Sequence, residues 1–161
     1  MRHRLNTVSG KRRPEFASIP GFSMLEMLVV LIIIGVLVAI AVPKMERIVR
    51  HERVNRAAQV IVQDLQNGFA LAGRQRAPVR LTFTTSLQKY VFSDRLTGTA
   101  IMTRLLSTGA DFSLTSMSVD NNPIDILPNG IGTTAFVVTI ANGDYVRQVT
   151  ASSAGFVRLV Q

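Results

Sequence analysis

Three rhythms of apolar and polar positions follow one another along the chain. From Phe22 to Val42 the sequence FSMLEMLVVLIIIGVLVAIAV is apolar at nearly every position and carries one charge, Glu26. At 1.5 Å of rise per helical residue this run spans roughly 31 Å, against about 30 Å for the hydrocarbon core of a bilayer, so a transmembrane helix is predicted over 22–43. Beyond Pro43 the apolar positions narrow to one helical face. Val54, Ala58, Ile61, Leu65, Phe69 and Ala72 recur at spacings of three and four, with Arg56, Gln59, Gln63, Asn67 and Arg74 opposite. Gly73 shortly before Pro78 is read as the stop signal, giving an amphipathic helix over 44–76 that continues from the membrane.

After Pro78 the period drops to two. Val79, Leu81 and Phe83 alternate with Arg80 and Thr82, and runs at 89–93, 101–106 and 112–117 read similarly. FVVTI (136–140), the Asn142-Gly143-Asp144 turn, YVRQVTA (145–151), a Ser152-to-Gly155 turn and FVRLV (156–160) predict consecutive antiparallel strands. Segment 118–130, rich in Asp, Asn and Pro, is expected to be an exposed loop. The fold class is therefore α+β: a long N-terminal helix, its first half transmembrane and its second amphipathic, packed against a C-terminal antiparallel β-sheet domain over 77–161.

Charge changes the picture at one end. The 161 residues carry 18 Lys/Arg against 10 Asp/Glu, a net +8. Half of that excess lies before the apolar run, where Arg2, Arg4, Lys11, Arg12 and Arg13 face Glu15 alone. Such a tail holds the N-terminus in the cytoplasm and sends the C-terminal domain across the membrane. A cleavable secretory signal is the competing reading, but its apolar stretch would be shorter and end in an A-x-A-like site; Ala39-Ile40-Ala41-Val42-Pro43 imitates one weakly. A second basic series, Lys44, Arg47, Arg50, Arg53 and Arg56, partly offset by Glu46 and Glu52, follows the membrane exit. It suits lipid headgroups or neighbouring subunits as well as a solvated helix face.

Catalytic chemistry is absent from the pattern. There is no cysteine, and the two histidines, His3 and His51, are too few for a His-based triad or a two-histidine metal site. No phosphate-binding glycine loop, GxSxG or HExxH occurs. Asp120, Asn121, Asn122 and Asp125 lack the glycine and terminal glutamate of an EF-hand. No enzyme activity, cofactor or metal is expected.

Glu26 is the residue that needs an account. A carboxylate in a membrane helix costs about 2.5 to 3.5 kcal/mol at the bilayer centre and less near an end. No Lys or Arg lies between Phe22 and Pro43 to meet it. On the residues alone, snorkelling from a first helical turn, where the macrodipole favours negative charge, stands beside a functional role with a partner yet to be supplied.

Gly21-Phe22-Ser23-Met24-Leu25-Glu26 ahead of an apolar run resembles the processing site of type IV pilins and of the pseudopilins of type II secretion systems. The resemblance implies that residues 1–21 are a cytoplasmic leader, removed by a membrane-embedded prepilin peptidase between Gly21 and Phe22, with N-methylation of Phe22. Glycine leaves the scissile bond unobstructed. It further implies that Glu26 keeps its carboxylate for the Phe22 amine of its own or a neighbouring chain, so that cleavage creates the missing cation. Gly35 and Pro43 fall where the family has helix-weakening residues, a segment able to unwind partly in filaments. The C-terminal ILPNG, hairpin and Gly155-to-Leu159 strand resemble the GspH/FimT type, with Phe156 where that group often has the first arginine of a Gly-Arg-x-Arg ending.

The implied role is a minor pseudopilin of the type II secretion pseudopilus tip, anchored in the bacterial inner membrane with its domain periplasmic. Its partners would be prepilin peptidase, other pseudopilins or pilins through the N-terminal helix, and inner-membrane lipid. The alternative is a FimT-type minor pilin of a type IV pilus engaged in assembly or DNA uptake, with DNA as a further partner. In that reading Arg74, Arg76 and Arg80, with Arg147 and Arg158, are the candidate phosphate contacts.

Overall fold

A computed structural model describes residues 21–107 and 109–160; residues 1–20 of the expected leader lie outside the described residues. Helix α1 runs over Met24–Gln75. Ser23 starts it: its Oγ accepts the Glu26 N–H at 3.1 Å while its carbonyl accepts the Met27 N–H, so the hydroxyl satisfies one of the first-turn donors that have no partner within the helix. The far end falls at Gln75, one residue short of the 76 expected, although Gly73 is not what stops it. Gly73 is helical, and the chain turns at Arg76 with φ 50, two residues before Pro78. A left-handed residue and a proline end the helix there.

Two compact units divide between Ile40 and Ala41. In the second, α1 presents Val54, Ala57, Ala58, Ile61, Leu65, Phe69 and Ala72 to a core shared with the strands. The strands of the expected antiparallel β domain form two sheets. The first contains β1 (Val79–Thr84), β2 (Lys89–Asp94), β3 (Ala100–Leu105) and β5 (Ile124–Ile126), in the order β3-β2-β1-β5. The second contains β4 (Ser116–Val119), β6 (Phe136–Asn142), β7 (Tyr145–Ala151) and β8 (Val157–Val160), in the order β4-β6-β7-β8. Alternation holds as read: Val79, Leu81 and Phe83 are buried on β1, and Phe136, Val138 and Ile140 on β6.

The exposed loop expected over 118–130 is corrected by β5. Ile124 and Ile126 are buried and pair with Leu81 and Val79 across the ladder, because two isoleucines either side of one aspartate suffice for a three-residue strand. Asn122 then fixes the approach, its amide donating to the Phe83 carbonyl and its oxygen accepting the Phe83 N–H. The run read at 112–117 is also displaced, since the strand begins only at Ser116.

Close packing of α1 on the first sheet depends on Gly68. A Cβ there would collide with the edge of the Phe92 ring, so glycine lets the helix backbone come this near. On the second sheet Phe69 fills the matching place, with Gly132 and Gly155 against its ring.

Candidate assembly interface

The cap at Ser23 leaves Gly21 and Phe22 ahead of the first helical turn, both exposed, with Phe22 73% accessible. Glu26 occupies the first turn, where the unpaired N–H groups and the helix dipole favour a negative charge. Its carboxylate has no hydrogen-bond or ion-pair partner among the described residues. Phe22 stands four residues before Glu26, just ahead of the helix.

From Met24 to Val42 every residue is exposed, and the apolar side chains face all round the helix. A helix apolar on all sides cannot bury itself in one domain; it suits lipid or other helices. Gly35 has open space where a side chain would be. At Pro43 the helix is unbroken, yet proline has no N–H, so the Ala39 carbonyl loses its helical donor. The apolar segment thus ends on its weakest helical bond.

The arginines divide differently from their order in sequence. Arg80, on β1, gives Nε and Nη2 to Asp125 at 2.7 and 3.0 Å, and Arg95 reaches the same carboxylate at 2.9 Å. The Arg80 hydrogen bonds outweigh burial and hold the Asp125 carboxyl below the usual range. Arg147 faces α1, donating to the Asn55 side-chain oxygen at 2.9 Å and lying 3.0 Å from His51 Nε2. Arg158 lies on the opposite face of the second sheet, beside Thr150. Arg74 and Arg76 are exposed at the end of α1. Of the five, Arg80 and Arg147 are engaged within the domain, and Arg147 and Arg158 are not brought together.

Two features escape the sequence reading. The Ser23 cap carries a signal in Ser-x-x-Glu at the head of an apolar run. The other is a triad around the buried Asp64, which accepts from the Tyr90 hydroxyl at 2.6 Å and from Nε and Nη2 of the partly exposed Arg104 at 2.8 and 3.2 Å. Burial first, and then the bond to Asp64, push the Tyr90 phenol well above its ordinary value. Asp64 follows Ile61 by three residues and precedes Gly68 by four. An acid placed on the buried stripe was the available sign.

No family model and no curated protein matches the sequence. Solved structures do match. The type IV minor pilin FimU of Pseudomonas aeruginosa is 16% identical with a TM-score of 0.56, over 68% of this chain and 90% of that one. The minor pseudopilin EpsH from the type II secretion system of Vibrio cholerae is 18% identical with a TM-score of 0.54, over 67% of this chain and 96% of that one. A second EpsH structure is 16% identical, also with a TM-score of 0.54, over 68% and 94%. With its long N-terminal helix and antiparallel β domain, the chain has the fold of the type IV minor pilins and the minor pseudopilins.

Proposed function

We propose that this chain is a minor pseudopilin, a structural subunit at the tip of a type II secretion pseudopilus. It is made as a prepilin, cut by prepilin peptidase between Gly21 and Phe22, methylated at Phe22 and anchored in the inner membrane with its domain in the periplasm. The observation that carries this reading is a helix exposed and apolar on every side, opening with Phe22, the Ser23 cap and Glu26, in a chain whose domain has the minor-pilin fold.

Cleavage after Gly21 places a cationic amine on Phe22, four residues before Glu26. In lipid the carboxylate stays near the headgroups; on joining a filament it meets the amine of a neighbouring subunit. Removing one partner of such a pair in low dielectric costs roughly 3 to 5 kcal/mol, enough to decide whether a subunit leaves the membrane. Gly35 and Pro43 give the segment between them room to unwind as subunits pack.

The second reading, a FimT-type minor pilin active in DNA uptake, draws on the equal likeness to FimU and on the exposed Arg74, Arg76 and Arg158. The engagement of Arg80 and Arg147 leaves fewer guanidinium groups for phosphate, which supports the secretion reading. Glu26→Leu tests the assembly role. The variant should insert and be cleaved normally, because it is more apolar and retains Gly21, yet lose crosslinking to co-expressed pseudopilin partners in membranes. Wild-type crosslinking with full secretion would leave Glu26 a merely tolerated charge.

A further inference from the structure

Seven of the thirteen positions from Lys44 to Arg56 on α1 are charged, yet Met45, Ile48 and Val49 interrupt them and are 62, 60 and 44% accessible. The three share a face. At about 100° per residue Val54, Ala57, Ala58 and Ile61 point into the core, and the three apolar residues lie within about 50° of the opposite direction. The chain's own domain therefore leaves them uncovered. Lys44 and Arg53 border this stripe on its two sides, and Glu52 and Arg56 continue it away from the apolar run.

Charge and distance decide what covers it. The ion pairs among the described residues belong to Asp64 and Asp125, so the basic series Lys44, Arg47, Arg50, Arg53 and Arg56 keeps an excess of three over Glu46 and Glu52. Lipid headgroups lie too near the hydrocarbon. On the assembly reading the apolar run ends at Val42 and the headgroup layer reaches about 5 to 7 Å beyond it, whereas Val49, Arg53 and Arg56 follow at about 10, 16 and 21 Å along the helix. A second copy of this chain brings a second cationic excess, and like charges facing one another across a helix seam oppose the pairing. A helix with an apolar seam and carboxylates on its flanks meets both requirements: it buries the stripe, and it neutralises Lys44, Arg53 and Arg56.

We propose that Met45, Ile48 and Val49, with Lys44, Arg53 and Arg56 around them, receive the helix of a different pilin-like subunit, one that carries aspartates or glutamates beside an apolar seam just beyond its membrane segment. The inference rests on the assembly reading above and adds the sign of the neighbour to it. Cationic excess disfavours self-association at this level, so the same residues that attract an acidic neighbour keep copies of this chain apart, as a subunit present in small number requires.

The test uses the full-length chain in membranes with its co-expressed pseudopilins and benzoylphenylalanine in place of Ile48. Irradiation should give a conjugate that mass spectrometry identifies as a pseudopilin other than this chain, with the adduct on its helix next to an aspartate or glutamate. Arg53→Glu combined with Arg56→Glu should lower the yield about tenfold; both side chains are exposed and outside the core. Changing the partner's nearest carboxylates to lysine should restore the yield in that background. A parallel probe at Leu31 reports packing of the apolar helices. If Leu31 crosslinks to a pseudopilin while Ile48 gives no conjugate, joins lipid or a second copy of this chain, or is indifferent to the charge reversals, the inference is overturned and the assembly reading stands. Silence at both positions overturns both.

Discussion

Replacing Asp64 with alanine removes the one acceptor shared by Tyr90 and Arg104. Tyr90 is fully buried and Asp64 nearly so. The phenol hydroxyl then has no partner, at about 1 to 3 kcal/mol for an unsatisfied buried polar group. Arg104 is 36% accessible, so water takes over much of its solvation and its lost pair adds about 1 kcal/mol or less. The sum, about 1 to 4 kcal/mol, is a sizeable share of the 5 to 15 kcal/mol typical of a domain. At about 4 °C per kcal/mol for this size, the melting midpoint should fall by roughly 4 to 16 °C. The assay is thermal unfolding of the chain from Lys44 onward, since every residue of the core lies between Val54 and Ala151. Adding Tyr90→Phe to Asp64→Ala removes the stranded hydroxyl and should recover about 1 kcal/mol, a coupling visible in a double-mutant cycle. Alkaline titration reads the same triad. The folded-state phenol is raised, so its contribution is fully present below the ordinary tyrosine value of about 10 and is lost as pH climbs past it. An Asp64→Ala shift below about 1 kcal/mol, or a double variant carrying both full costs, would refute this account.

Gly21→Leu should leave full-length precursor in the membrane, and mass spectrometry detecting a mature chain that begins at methylated Phe22 would count against the cleavage site. Gly68→Ala should destabilise by about 1 to 3 kcal/mol through overpacking against Phe92, although alanine is the better helix former; Gly73→Ala, with open space at its Cβ, should stabilise by about 0.4 to 1 kcal/mol. Equal signs for the two in urea unfolding would contradict the packing. Asp125 has a depressed folded-state pKa, so its stabilisation is present above the unfolded value of about 3.9 and is lost as pH falls through the folded one. Asp125→Asn should therefore flatten the loss of stability on acidification, and parallel curves for the two proteins would dismiss the role of Arg80 and Arg95.

Helix α1 was legible because burial writes periodicity into sequence. Ile61, Leu65 and Phe69 lie where a 3.6-residue repeat puts them, and all three are in the core. Strands β1, β6 and β7 were legible for the same reason at period two. Partition into two sheets was not, since pairing of β5 with β1 joins residues some 45 positions apart in a ladder of three, and no local pattern encodes which edge a short strand finds. The α1 terminus was legible to within a residue, but the stop was credited to Gly73, whereas the left-handed turn falls on Arg76.

Charge was the hardest property to read, and for one reason throughout. A guanidinium is available to a partner or spent at home according to what stands opposite it, and that is decided across strands. Arg74, Arg76 and Arg80 cluster in sequence, but Asp125 claims Arg80 from another strand, while Asn55 and His51 hold Arg147 from the helix. Glu26 is the opposite case. No fold-dependent partner is needed to notice it, because an isolated acid in a membrane-length apolar run is costly wherever the rest of the chain goes. The first half of α1 is apolar on every side and so depends on what surrounds it, while the second half turns its apolar face to its own domain. One helix thus changes from apolar on every side to apolar on one between Val42 and Val54, where the exposed Met45, Ile48 and Val49 lie among the basic residues, and the sequence records that change directly as a loss of apolar positions from all but one face.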